Sequence, residues 1–238
     1  MSNIKYSLII PCYNEEGNIE KLVSLCESVI KNNKVEVVFV DNGSIDNTNY
    51  KLSRLTKGQP MFQLVLVEVN RGYGHGIMQG VKACRGEVIG WTHADLQTDP
   101  NDFSIAVERF EKSEVPENLF LKGVRYGRPL RDLIFTWGMA VVEFLSLGIK
   151  MWDINAQPTV FHRSLIENIV DEIPVDSSLD LFVYYLAIKK HYNICRVRVH
   201  FGPRQSGDGS NERLSSKIRY SINTMKYSIS LRNQLKKK

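Results

Sequence analysis

The chain has 238 residues, 43% hydrophobic and 24% charged, with a formal net charge of +5. This composition excludes a disordered or fibrous protein and provides enough apolar residues for one substantial core. Seven cations (Lys217, Arg219, Lys226, Arg232, Lys236, Lys237 and Lys238) fall after residue 216 with no acid among them, so the preceding body sums to −2 and is not expected to bind nucleic acid.

The first half alternates β-branched runs with helical patterns. Tyr6–Ile10, Val35–Val40, Phe62–Val69 and Glu87–Trp91 read as strands. Asn18–Lys31, Asp46–Leu55 and Gly76–Ala83 read as helices between them, and the alternation predicts crossover connections in a mainly parallel, two-faced sheet. Asp99 as N-cap with Pro100 in the first turn predicts a further helix to about Phe110, followed by a strand over Leu119–Val124.

The second half is less regular. Leu130–Lys150 reads as a long apolar helix, packed in the core or laid against a membrane, and Asp153–Arg163 as a polar turn entering a short strand. Ser177 or Ser178 can cap a helix through Lys190, Ile194–His200 is a strand, and Phe201–Asn211 has the Gly, Pro and Ser content of a mobile loop. Leu214–Leu235 carries Leu214, Ile218, Ile222, Met225, Ile229 and Leu235 on a helical stripe beside basic residues, which suits either packing on the core or docking on an anionic membrane. One domain over residues 1–212 is expected, with a nucleotide-binding half to about residue 100 and an acceptor half beyond it, then a basic amphipathic helix over 213–238.

Cys12, Cys26, Cys84 and Cys195 are dispersed near apolar segments, predicting buried free thiols and a reducing compartment. No run of 18 uncharged apolar residues occurs. The expected location is cytoplasmic, with peripheral attachment at the cytoplasmic membrane face through the terminal helix.

Polar groups gather where the strands end. Tyr6–Ile10 leads into Pro11-Cys12-Tyr13-Asn14-Glu15-Glu16, where the proline is expected to stop pairing and Asn14 or Glu15 to open a helix. Val35–Val40 leads into Asp41-Asn42-Gly43-Ser44, and Gly72, Gly74 and Gly76 follow the third strand. The fourth enters His93-Ala94-Asp95-Leu96-Gln97. Open α/β sheets place their ligand crevice at this edge. A Gly-x-Gly-x-x-Gly pattern is absent after the first strand, which disfavours a nicotinamide enzyme.

Taken together, Ile10–Asn18, Val40–Thr48 and Ala94–Gln97 resemble the inverting family 2 glycosyltransferases, most nearly the polyprenyl-phosphate sugar transferases of the dolichol-phosphate mannose synthase type. The resemblance implies a GT-A fold, a nucleotide-sugar donor and Mg2+ or Mn2+. It implies donor contacts at Pro11, Tyr13, Glu15, Asp41, Gly74 and Asp95, and metal contacts at Asp95 and Gln97, with His93 a further candidate. His93 stands where the family has the first acid of its Asp-x-Asp motif, and Asn42 where relatives often have a second aspartate. Imidazole suits Mn2+ better than Mg2+.

The resemblance also places Lys122, Arg125, Arg128, Arg131 and Arg204 among basic positions for acceptor and diphosphate. Arg204 is expected to close on the site only with donor present. Asp153 and Gln157 occupy an altered Asp-x-x-x-Gly-Phe-Arg region and are expected to face acceptor or sugar, while Asp180 either orients a basic loop or serves the chemistry. The implied reaction is attack by an acceptor oxygen on the anomeric carbon as nucleoside diphosphate leaves from the opposite face. Arg204 and the metal would stabilise the leaving charge, and Arg125 and Arg131 would hold the acceptor. A polyprenyl phosphate needs no strong base, whereas a sugar hydroxyl would need Asp153, Asp176 or Asp180. A soluble glycan-extending transferase and a non-catalytic nucleotide-sugar-binding or scaffold protein are the alternatives.

Overall fold

The computed structural model describes residues 4–31, 34–206 and 214–235. Among them, β1 (Tyr6–Cys12), β2 (Val35–Asn42), β3 (Phe62–Val67), β4 (Val88–Trp91), β5 (Leu119–Tyr126), β6 (Thr159–His162) and β7 (Asn193–His200) form one sheet in the order β3-β2-β1-β4-β6-β5-β7. All neighbouring pairs are parallel except those of β6, which is antiparallel to β4 and β5. The mainly parallel expectation holds, with β6 as the exception. After β5 the chain stays at the sheet's carboxyl edge, where Asp153 is hydrogen-bonded to Arg125, so it re-enters the sheet running backwards.

Helices α1 (Ile19–Val29), α2 (Thr48–Thr56), α3 (Tyr73–Ala83), α4 (Asp102–Glu111) and α6 (Leu179–Lys189) cover the sheet. Side-chain alternation divides β1 between two cores. Leu8 and Ile10 join Leu22, Phe103 and Phe110 on one face, and Ile9 joins Ile77, Trp91, Phe161 and Leu181 on the other. The four cysteines are free thiols, with Cys195 half-buried and the others buried.

Several predicted boundaries move, each for a local reason. β1 continues through Pro11 to Cys12, because its ladder with β4 ends at Ile9–Trp91 and the missing proline N–H has no partner there to lose. α1 starts at Ile19 and not at Asn14 or Glu15. Asn14 has a φ of 53°, and the Glu15 N–H is donated to Thr48 Oγ1 at 2.8 Å. Asp99 and Pro100 form the turn before α4 instead of its cap, since Asp99 Oδ1 accepts from the Asn101 N–H at 2.9 Å and the Asp99 carbonyl from Asp102 at 3.0 Å. At α6, Ser178 holds the N-cap position without a side-chain cap, and Asp176 accepts its N–H.

The last two helices, α5 (Leu130–Leu147) and α7 (Leu214–Leu235), pack on each other. α5 is not the core helix its composition suggests, because Leu130, Ile134, Trp137 and Leu145 face outward. On α7 the packed face is Thr224, Ser228 and Leu231, leaving Ile222, Met225 and Ile229 exposed. The outer turns of the predicted stripe, at Leu214, Ile218 and Leu235, lie outside the described side chains. Ser228 donates to the buried Glu143 of α5, whose other carboxylate oxygen has no partner.

Burial raises the Glu143 carboxyl to about 7, against the hydrogen bond from Ser228. The folded state therefore holds this proton more tightly than the unfolded chain does. Its contribution is full below the unfolded carboxyl's pKa, near 4.5, and is lost as pH rises through about 7. Glu143→Gln is expected to flatten this decline in melting temperature across that window. A pH-melting series on both proteins checks it.

Candidate active site

The crevice lies at the carboxyl edge, where loops after β1, β2, β3 and β4 converge. Ser44 ties two of them together, accepting from the Asn14 N–H at 3.0 Å and donating its own N–H to Asp41 Oδ1 at 3.0 Å. Asp41 is buried, while Tyr13 stands half-exposed at the mouth with partly buried Pro11 beneath it. The loops carrying Tyr13 and Asp41 are thus tied together, with Asp41 fixed by a backbone donor.

Glu15, Asp95 and Arg204 meet directly. Arg204 Nη1 donates to Asp95 Oδ2 at 3.4 Å, Nη2 to Glu15 Oε1, and Nε to the Ser206 carbonyl at 2.8 Å. Asp95 Oδ1 accepts the Gln97 N–H at 3.1 Å. Burial pushes the Glu15 carboxyl up, opposed by hydrogen bonds from Asn18 and Arg204. Arg204 bridges the two acids. The physical reason is that two acids brought this close need a counter-charge.

Arg204 belongs to a strap over residues 201–206. Phe201 donates its N–H to the Tyr126 carbonyl at 3.0 Å, and its ring lies 5.1 Å from the Arg125 guanidinium. Gly202 exchanges hydrogen bonds with Gln97, at 2.8 Å to the Gln97 carbonyl and at 3.2 Å from Gln97 Nε2. Gln205 accepts from Lys21 at 2.9 Å. A Cβ on Gly17 would lie 2.1 Å from Ser206 Oγ, so glycine is what lets the strap approach α1. The predicted mobile loop is tied down over this stretch, and its remainder, 207–211, lies outside the described residues.

A second group sits beyond β5. Asp153 accepts from the Arg125 backbone N–H at 2.8 Å, from Arg125 Nε at 3.0 Å and from Nη2 at 2.5 Å, and Arg128 Nη2 stands 3.3 Å from its other oxygen. Arg128 Nη1 reaches Thr136 of α5 at 2.9 Å. Burial would raise the Asp153 carboxyl, but Arg125 and Arg128 hold it below the usual carboxylate range. The corner sets two guanidinium groups against Asp153, with the Asp132 carboxylate also acting on Arg128. Arg131 starts the same helix, and its side chain lies outside those described.

Behind both groups lies a buried polar knot that sequence reasoning missed. Lys122 Nζ donates to Asp180 Oδ1 at 2.9 Å and to Thr159 Oγ1 at 2.5 Å. Trp91 Nε1 donates to Asp180 at 3.2 Å, Tyr73 Oη to its other oxygen at 3.2 Å, and Gln157 Nε2 to both at 3.1 Å. Burial pushes the Asp180 carboxyl up, but the Lys122 ammonium and these donors outweigh it and leave it below its ordinary range. Asp180 and Gln157 therefore face inward, not toward an acceptor, because the buried Lys122 demands a counter-ion and Gln157 completes its shell. The available sequence cue was a lysine inside the apolar run of β5.

His93 links the three groups. Its ring lies 5.5 Å from that of Tyr73, and Asp95, Asp180, Arg125 and Lys122 all act on it electrostatically. Burial dominates and lowers its pKa, favouring the neutral imidazole. Gly74 packs closely on the backbone at 174–176. A Cβ there would lie 2.6 Å from the Asp176 carbonyl oxygen and 2.7 Å from the Val175 carbonyl carbon, so it serves backbone packing against α3. Asn42 Nδ2 donates to the Gly72 carbonyl at 3.0 Å, and its Oδ1 is buried without a partner.

Among the described residues, no three His, Cys, Asp or Glu side chains form a ready cation cage. The Asp95 carboxylate, in the loop after β4, does fit an ion shared with a ligand, one protein carboxylate plus phosphate oxygens and water being a usual arrangement for Mg2+. Gln97 spends its amide N–H on Gly202 and keeps its carbonyl oxygen as a donor for such an ion.

Strand-end acids, a basic strap and a mixed sheet of this order define a GT-A glycosyltransferase. Residues 7–141 match the model of glycosyl transferase family 2, and the chain belongs to that family. It is 35% identical over 210 residues to the undecaprenyl-phosphate 4-deoxy-4-formamido-L-arabinose transferase of Pseudomonas savastanoi pv. phaseolicola, covering 85% of this chain and 59% of that one. The dolichol-phosphate mannosyltransferase of Pyrococcus furiosus is 26% identical over 86% of this chain and 58% of its own length. The chain thus spans less than two thirds of these relatives. Among solved structures, glucosyl-3-phosphoglycerate synthase from Mycobacterium tuberculosis, in complex with Mn2+, UDP and glucosyl-3-phosphoglycerate, superposes with a TM-score of 0.71 at 17% identity, over 95% of this chain and 80% of that one. That likeness establishes the fold.

Proposed function

We propose that this chain is an inverting transferase that moves a sugar from a nucleotide-sugar donor to a polyprenyl phosphate at a membrane surface. One observation supports the acceptor class: two of the three acids a hydroxyl acceptor would need as a base are paired with cations, and the third caps a backbone N–H. Asp153 is clasped by two arginines, Asp180 is buried against Lys122, and Asp176 accepts the Ser178 N–H. A phosphate oxygen is already anionic and needs no base. Arg125 and Arg128 supply the bidentate donors that such a group takes.

In this reading the acceptor oxygen forms a bond to the anomeric carbon while the bond from that carbon to the diphosphate oxygen breaks. The electron pair leaves on the nucleoside diphosphate, and the configuration inverts. Arg204 turns from the acids to the leaving phosphate, and Tyr13, Glu15 and Asp41 hold the nucleotide side. Asp95, with Gln97 and neutral His93 beside it, would hold Mg2+ or Mn2+, which supplies Lewis-acid stabilisation of the leaving oxygens.

Membrane attachment draws support from the outward apolar residues of α5 and α7 and the basic residues of α7. No helix among the described residues is long and apolar enough to cross a membrane. A cytoplasmic-face location follows from this reading, since anionic lipid there attracts the basic helix.

The test is incubation of the full chain with a nucleotide-sugar panel on anionic vesicles carrying undecaprenyl phosphate, with products detected by mass. The expected result is a phosphate-linked glycolipid and co-sedimentation of the protein with the vesicles. Transfer to sugar hydroxyls without transfer to lipid phosphate overturns the reading in favour of a glycan-extending enzyme. Nucleotide-sugar binding without any turnover favours a non-catalytic role.

A further inference from the structure

We infer that the apolar cavity beneath α5 takes the first isoprene units of the acceptor and selects prenyl phosphates over simple phosphates. This inference rests on the phosphate-acceptor reading above. The cavity measures about 570 Å3, is lined by Val124, Val141 and Tyr184, and opens outward between the part-exposed rings of Trp137, Phe144 and Trp152. Its two cations do not make it a polar site. Arg196 spends its two terminal nitrogens on the Trp152 carbonyl at 2.8 Å, the Tyr184 hydroxyl at 2.8 Å and the Gly123 carbonyl at 2.9 Å, and its Nε is buried without a partner among the described residues. Lys150 is exposed at the rim.

What ties the cavity to the acceptor corner is a threefold juxtaposition of neighbouring residues. Val124 walls the cavity and Arg125 clasps Asp153. Trp152 walls the cavity and Asp153 accepts from Arg125. Trp137 walls the cavity and Thr136 accepts from Arg128. At each point the two regions are one residue apart, about 3.8 Å along the backbone. A ligand with an anionic head at Arg125 and Arg128 and a hydrocarbon tail beside it matches both, whereas a sugar or a nucleotide leaves the cavity's apolar walls without a partner. Each methylene buried there is worth roughly a 4-fold gain in affinity.

The test fills the cavity from α5 in the full chain with Ala140→Trp, and separately with the smaller change Val141→Phe, both checked for folding by circular dichroism. Farnesyl phosphate and methyl phosphate serve as probes, read by turnover and by fluorescence of Trp137 and Trp152. The wild type is expected to show a fluorescence change with farnesyl phosphate and none with methyl phosphate. Filling the cavity is expected to raise the KM for farnesyl phosphate at least 10-fold with kcat within 2-fold, leaving inhibition by methyl phosphate unchanged. Turnover of farnesyl phosphate with a KM that neither variant moves overturns the cavity assignment while the acceptor class stands. A farnesyl-specific signal lost in the variants, without turnover, supports the cavity and overturns the acceptor class. A signal that follows protein concentration instead of lipid makes a second copy the occupant and overturns the inference.

Discussion

Asp95→Asn is expected to lower the rate of sugar transfer by ~100- to ~1,000-fold, the usual cost of removing one group that stabilises charge on the leaving side. The substitution is chosen to spare the fold. An asparagine oxygen still accepts the Gln97 N–H, and Arg204 keeps Glu15 as its partner. Melting is therefore expected to shift by no more than about 2–4 °C, the equivalent of ~1 kcal/mol in a chain of this size. Titration of Mn2+ in the presence of nucleoside diphosphate is expected to lose its signal along with the rate. A variant that melts normally and transfers sugar at the wild-type rate removes Asp95 from the chemistry.

The largest effect on stability is expected at Asp180→Ala. Lys122 and Asp180 are both buried, and removing the acid leaves an ammonium in the interior with only Thr159 beside it. Breaking a buried pair this way costs ~3–5 kcal/mol, which in a chain of this length lowers the melting temperature by roughly 6–20 °C. Trp91 and Gln157 lose their acceptor at the same time. The double variant Lys122→Met with Asp180→Asn keeps an oxygen for those donors and removes both charges, so most of the loss is expected to return. The sign with pH is also fixed. With its folded pKa below the ordinary value, Asp180 contributes above the unfolded carboxylate pKa, and that contribution is lost as pH falls through the folded pKa. Acid-melting curves of wild type and double variant are expected to diverge in that acidic range, and coincident curves would remove the pair from the stability of the fold.

The parts of this molecule that could be read from the chain are those governed by local pattern. Strand runs such as Val35–Val40 and the helical spacing of Ile19, Leu22, Val23 and Cys26 reflect a two-faced sheet, and all four residues of that helix are buried. The strand-end motifs marked Glu15 and Asp95 because each carries a charge at an edge where charge has a use, and the resemblance those motifs carry pointed to Arg204. What escaped depends on distant partners. Gly74 is set by the backbone at 174–176, and the terminal helix turns its polar Ser228 inward because the buried Glu143 accepts from it. Gln157 and Asp180 were visible as polar residues, but their inward direction follows from Lys122, which lies 58 positions from Asp180 along the chain.

The strap has one further thermodynamic consequence. If Arg204 turns to the leaving phosphate as proposed, it abandons two neighbouring carboxylates whose repulsion it neutralises. A nucleotide arriving without a cation would strand that pair uncompensated, so nucleotide and divalent ion are each expected to favour the other's entry. On the proposed reading, the Phe201 ring, 5.1 Å from the Arg125 guanidinium on the same short stretch, is expected to couple entry of the donor to the acceptor corner.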